Sequence, residues 1–149
     1  MEINGVPVHP LVVHAAVVFT PAAAIAAFAY AVPSWRDRVR WPLVVLAAIA
    51  LIAVWVAFYS GEDLREGRFA QVAEPLQGKI AEHEDWAQRL RIGVTVFAAL
   101  SFGAAWFHSR TGAVRRIVAA VLALAGLALL LLVYFTGDAG AQAVWNPAG

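Results

Sequence analysis

The apolar positions of the chain fall into four long runs, at 10–32, 42–60, 92–107 and 117–135, and none of these runs contains Lys, Arg, Asp or Glu. A helix needs about 20 residues to cross roughly 30 Å of hydrocarbon, and each run is near that length. The bilayer core holds no water to satisfy backbone groups, so runs of this kind must be helices, and the alternation of a membrane barrel is absent. The pattern predicts one all-α integral membrane domain over 1–149, an antiparallel up-down bundle of four transmembrane helices at about 10–32, 42–60, 86–107 and 115–136. The third run is the shortest, and its helix is extended backwards to Trp86, whose indole suits an interface.

The first run also invites a signal-peptide reading, with Ala29-Tyr30-Ala31 as a small-x-small cleavage site. Against it, the stretch Met1 to Val8 holds Glu2 and no Lys or Arg, and the apolar run is long and interrupted by His14 and Pro21. It is read as a retained helix, bent where Pro21 removes an N–H. Between the second and third helices, Leu64, Val72 and Leu76 recur near helical spacing among charges, which predicts an amphipathic helical connection at the surface until Pro75 and Gly78 interrupt it. From Ile80 the series His83, Ala87, Leu90 and Val94 predicts a helical stretch that feeds the third membrane helix and holds His83 one or two turns above the bilayer. Small residues at four-residue spacing, Ala53/Ala57/Gly61, Ala99/Gly103 and Ala119/Ala123, are expected to serve close helix packing.

Charge adds orientation. The short connections carry Arg36, Arg38 and Arg40, and Arg110, Arg115 and Arg116, and are expected inside; the net acidic connection 61–91 and both termini are expected outside a bacterial plasma membrane. Trp35, Trp41 and Trp106 then mark the inner interface, and Tyr59, Trp86 and Tyr134 the outer one. Composition excludes other classes. With 62% hydrophobic and 14% charged residues the chain is neither an ordinary soluble domain nor disordered. Zero cysteines exclude disulfides, thiolate metal or haem ligands and a thiol nucleophile, and a net charge of +1 gives no reason to expect nucleic acid. No nucleophile–base pair, phosphate loop or zinc-protease motif is present, so a stand-alone enzyme is not expected.

Chemistry therefore rests on a few polar residues: His9, His14, Glu62, Asp63, His83 and Asp138 all lie near the outer helix ends. His9-Pro10 reads as a helix start, with His9 as a cap. His14 sits about one turn into an apolar run, where an ionisable residue is expensive and usually faces a partner. Two readings stand: His14 and His83 converge as a ligand pair, or a neutral His14 only hydrogen-bonds between helices. A converging pair suits the two axial positions of a b-type haem, while His14, His83 and Asp138 or Glu62 suit a divalent metal instead. His9 and His14 differ by about 140° around a helix and form no chelating pair. His108 is read as interfacial. Gly137 and Gly140 are expected to let the chain leave the last helix, with Trp145 returning as an outer anchor. The plainer account of that stretch is a helix C-cap and a tail.

Asn4-Gly5, then His9-Pro10-Leu11-Val12-Val13-His14, Ser60-Gly61-Glu62, His83, and Gly137-x-x-Gly140-Ala141-x-Ala143-Val144-Trp145 resemble the actinobacterial branch of a bacterial four-helix membrane family catalogued as domain of unknown function 2231. His9, Pro10, Val13 and His14 match that family's H-P-x-x-V-H motif, whereas Asp138 stands where its G-H-x-G motif has histidine. Some relatives are fused to c-type cytochrome domains, so the resemblance implies a redox role and b-type haem. The combined expectation is a haem- or metal-binding membrane protein for electron transfer or sensing, with His14 and His83 as ligands and Glu62 and Asp138 as supporting polar groups. Its partners are lipid and either a redox protein or a second copy. The alternative is a cofactor-free scaffold or accessory subunit.

Overall fold

The protein is described here over residues 2–147 of a computed structural model, the Ile3 side chain aside. The chain opens with a small antiparallel hairpin, β1 (Glu2–Ile3) and β2 (Val6–Pro7), in the register Glu2↔Pro7 and Ile3↔Val6. Asn4 and Gly5 turn it with φ of 51° and 79°. Positive φ at both central residues is what a type I′ turn demands, and Asn-Gly is the pair that adopts it at least cost. Four helices follow: α1 (Val8–Ala31), α2 (Arg36–Gly67), α3 (Leu76–Trp106) and α4 (Gly112–Trp145).

Each helix runs further than its apolar stretch. α1 starts two residues before Pro10, so the proline sits in the first turn, where a missing N–H costs nothing, and the helix continues through Pro21. It ends at Val32, which is extended ahead of Pro33 as residues before proline tend to be. The arginine segment 36–40 forms the first turns of α2 and is no loop.

Two expectations are corrected. No separate amphipathic helix lies across the bundle end, because α2 continues to Gly67 and α3 begins at Leu76, leaving only the turn 68–75 between them. Leu64 thus belongs to α2 and Leu76 opens α3. The chain also does not leave α4 at Gly137; the helix persists to Trp145. Nothing in 61–67 or 137–145 breaks a helix outright, since Gly costs only about 1 kcal/mol in a helix and polar residues are tolerated where the helix leaves its apolar surroundings.

The helices form an up-down bundle in which α1 and α3 each pack against both α2 and α4. Three of them, α1, α2 and α4, are long and apolar enough to cross a membrane. α3 falls short, because Lys79, Glu82, Glu84, Asp85, Arg89 and Arg91 occupy its first half.

The core is built largely from small side chains, with Ala23, Ala24, Ala27, Ala47 and Ala50 fully buried, and larger ones filling the gaps at Tyr30, Leu43, Val94, Phe97, Leu122 and Leu129. In lipid, apolar burial drives association weakly, so close backbone approach and dispersion contacts must hold helices together. A Cβ at Gly126 would stand 3.3 Å from the Ala24 carbonyl oxygen, which shows how near α4 comes to α1. Of the small-residue stripes, Ala53/Ala57/Gly61 and Ala119/Ala123 face the bundle, but Ala99 is exposed and nothing lies within 4 Å of a Cβ at Gly103. That third stripe therefore joins no other helix of this chain.

Candidate functional site

The histidine that faces His83 is His9. Its ring lies 6.4 Å, centroid to centroid, from the ring of His83, at an interplanar angle of 72°. His14 is exposed on the outside of α1, and its Nδ1 bonds the Pro10 carbonyl of its own helix at 2.6 Å. The structure thus does not bring His14 and His83 together. Five residues along a helix separate His9 and His14 by more than a quarter turn, so only one of them can face inward.

The two inward imidazoles are held by the same device. His9 Nδ1 is 2.8 Å from the Ala57 carbonyl oxygen on α2, and the ring lies against Gly61, one turn further on. His83 Nδ1 is 3.0 Å from the Thr136 carbonyl oxygen on α4, and its ring lies against Gly140, one turn further on. A Cβ at either glycine would meet the imidazole Cε1 at 3.0 Å and Nδ1 at 3.1 Å. Gly140, expected to release the chain from α4, is instead the notch that admits His83.

Because a carbonyl only accepts, each Nδ1 is the donor, and each Nε2 is the ring nitrogen left over for another partner. Burial pushes the His83 imidazole below its ordinary value; the bond to Thr136 opposes this, while the neighbouring His9 reinforces it and Glu84 opposes it. Neutral His83 is the form the site favours. Thr136 fastens the same corner in return, its hydroxyl lying 3.1 Å from the Trp86 carbonyl and 2.7 Å from that of Leu132. The Trp86 indole stacks on Phe135 at 4.8 Å, and Arg65 of α2 meets Glu84 of α3 at 3.2 Å above the pair.

The other expected site residues lie apart. Glu62 is half-buried beside Gly61, and Asp138 is exposed two residues from the Thr136 that bonds His83. Among the described residues, no three His, Cys, Asp or Glu side chains form a group able to hold a metal ion. The carboxylate-completed set His14, His83 and Asp138 is therefore not assembled.

The duplicated device is part of a longer repeat that the residue types alone concealed. Counting from His9 and from His83, equal steps reach buried positions on α1 and α3: Ala16 and Leu90, Thr20 and Val94, Ala23 and Phe97, Ala24 and Ala98, Tyr30 and Ala104. Counting back from Gly61 and Gly140, equal steps reach Ala57 and Thr136, Ala50 and Leu129, Leu43 and Leu122, and finally Arg36 and Arg115. The hairpins α1–α2 and α3–α4 thus correspond in the order of their inward positions, and His9 and His83 face each other between them. The first helix of each hairpin matches at one shift of the sequence and the second helix at a shift five residues longer, so a single slide of the sequence onto itself hides the correspondence.

Four long helices around paired inward imidazoles define a helical membrane-protein class. The family model described as "predicted membrane protein", domain of unknown function 2231, matches residues 5–148, and the chain belongs to that family. No curated protein and no solved structure matches it.

Proposed function

We propose that the protein binds a redox or sensing centre, b-type haem first and a metal ion second, between His9 and His83. The observation that supports this is the pair itself: two imidazoles, each with Nδ1–H committed to a backbone carbonyl and Nε2 left over, facing one another at 6.4 Å. Histidines that ligate a metal almost always donate their other nitrogen in this way, which fixes the tautomer and raises the basicity of the ligating atom. The donor chemistry suits iron, which His9 and His83 would hold, and a centre of that kind would supply one-electron transfer. His9 takes the place that the sequence assigned to His14, with Ala57, Thr136, Gly61 and Gly140 fixing ring position.

A second reading has its own support. The same hydrogen bonds link α1 to α2 and α3 to α4, as they would in a cofactor-free scaffold whose histidines serve only to join helices. Purification in mild detergent from haem-replete cells separates the two. Haem binding predicts a Soret band lost in His9→Ala and in His83→Ala and kept in His14→Ala. Colourless, metal-free protein would favour the scaffold, and a band unchanged in the His9→Ala/His83→Ala double variant would overturn ligation by this pair.

We place α3 across the bilayer with the other three helices, its short apolar run completed by Trp86 and the arginine stems above it. The histidine end and both termini then lie outside and the arginine-rich end inside. Cysteines at positions 38 and 63 test this on intact cells: an impermeant reagent should label position 63 only, and the reverse pattern overturns the orientation.

A further inference from the structure

The opposite end of the bundle holds a second site, unrelated to the histidine pair. A cleft of about 250 Å³ opens there between the α1–α2 turn and the start of α4. Its walls include Arg36, Arg110 and Arg115 with the hydroxyl residues Ser109 and Thr111. Arg36 is 7% exposed, and its guanidinium is spent on neutral partners: Nε donates to the Tyr30 carbonyl at 3.2 Å, Nη2 to the Arg115 carbonyl at 3.4 Å, and the plane rests over the Tyr30 ring at 4.8 Å. Among the described residues no carboxylate pairs with it. A buried guanidinium without a counter-ion is expensive, and three of its five donors remain.

The single acid on the cleft wall, Asp37, is paired with a neighbour on that wall: His108 Nε2 donates to its Oδ1 at 2.9 Å, while His108 Nδ1 meets the Tyr30 hydroxyl at 3.0 Å. α4 begins on the same wall. Thr111 is extended, its side chain caps no N–H, and the first turn of a 34-residue helix presents free donors and a positive dipole end. Exposed Trp35, Trp41 and Trp106 ring this end, as indoles do at the level of lipid headgroups.

The geometry points to a phosphate-binding site at the arginine end, with the phosphate of an anionic phospholipid headgroup as its ligand. Arg36 supplies the buried charge, Arg110 and Arg115 the flanking ones, and the start of α4 the backbone donors. The full chain, purified in an uncharged detergent, tests this through its melting midpoint and native mass spectrometry, with phosphatidylglycerol and inorganic phosphate added separately. A saturable rise in midpoint with one retained phosphatidylglycerol supports the headgroup. The same rise with inorganic phosphate supports the site with a free phosphate as its ligand. In Arg110→Gln/Arg115→Gln, whose side chains are exposed and whose fold does not depend on them, affinity should fall about thirtyfold, at roughly one fivefold step per arginine. No shift with either probe, or equal affinity in that double variant, overturns the proposal. His9→Ala/His83→Ala should bind phosphatidylglycerol normally, which keeps this outcome separate from that of the histidine site.

Discussion

The two ends of the bundle treat the repeat in opposite ways. At the histidine end each hairpin presents the same parts: an imidazole, a carbonyl on the partner helix and a glycine one turn further on. At the arginine end the equivalents diverge. Arg36 is buried while Arg115 is exposed, and the Tyr30 hydroxyl donates to the carbonyl of Ala104, which is its own counterpart on α3. Equal parts facing each other suit a ligand placed between the hairpins, whereas unequal parts suit one held to a single side. The shared core needs only matching small residues, so divergence is tolerated at the ends without disturbing the middle.

The sharpest way to break the comparison is to fill the notches. Gly61→Leu and Gly140→Leu each drive a side chain into an imidazole already in contact, and overpacking of this kind costs about 1–3 kcal/mol. Equal losses in detergent melting, within about 0.5 kcal/mol of each other, are expected if the hairpins are equivalent. A loss at one glycine only would show that the symmetry is superficial.

Tyr30→Phe asks the converse at the other end. It removes a buried donor to the Ala104 carbonyl and leaves His108 Nδ1 without its hydroxyl, for an expected loss of about 1–2 kcal/mol. Ala104→Ser should not compensate, because the arrangement there is not duplicated.

Acid offers a gentler probe. His83 has a folded-state value below the ordinary 6.5, so the unfolded chain binds more protons as the pH drops. Stability is therefore full above about 6.5 and declines as the pH falls below it, with the sign of a group buried neutral. His83→Gln should flatten the decline on the acid side of a melting profile taken between pH 8 and pH 5. The smallest effect belongs to Arg65→Ala. The Arg65–Glu84 pair joins the two hairpins at the histidine end, but it is largely exposed and is expected to contribute less than about 0.5 kcal/mol.

The four helices and their order were legible because charge is excluded from four runs and gathered between them. Their ends were not: charged residues at 61–67 and 76–91 read as surface connection, yet a helix that leaves lipid does not have to stop. Asn4-Gly5 is a hairpin signal in itself, but the two-residue strands that flank it are too short to show any alternation. His83 was found through its spacing from Ile80 and Leu90. His14 was preferred to His9 because its neighbours are apolar, but apolar neighbours report depth along a helix and not direction around it. Direction was set by α2, where Gly61 makes room for one ring only. A pattern confined to one helix does not carry that information.

The equivalence of the hairpins bears on how the chain is threaded. Residues 2 and 146 both lie at the histidine end: Arg68 of the α2–α3 turn pairs with Glu2 at 2.6 Å, and the Lys79 ammonium near the start of α3 reaches the Asn146 carbonyl. The turn 68–75 lies at that same end, between α2 and α3. A circular permutant that opens the chain in that turn and joins the old termini with a short flexible linker should build the same bundle, because the order of the two hairpins along the polypeptide carries no structural information.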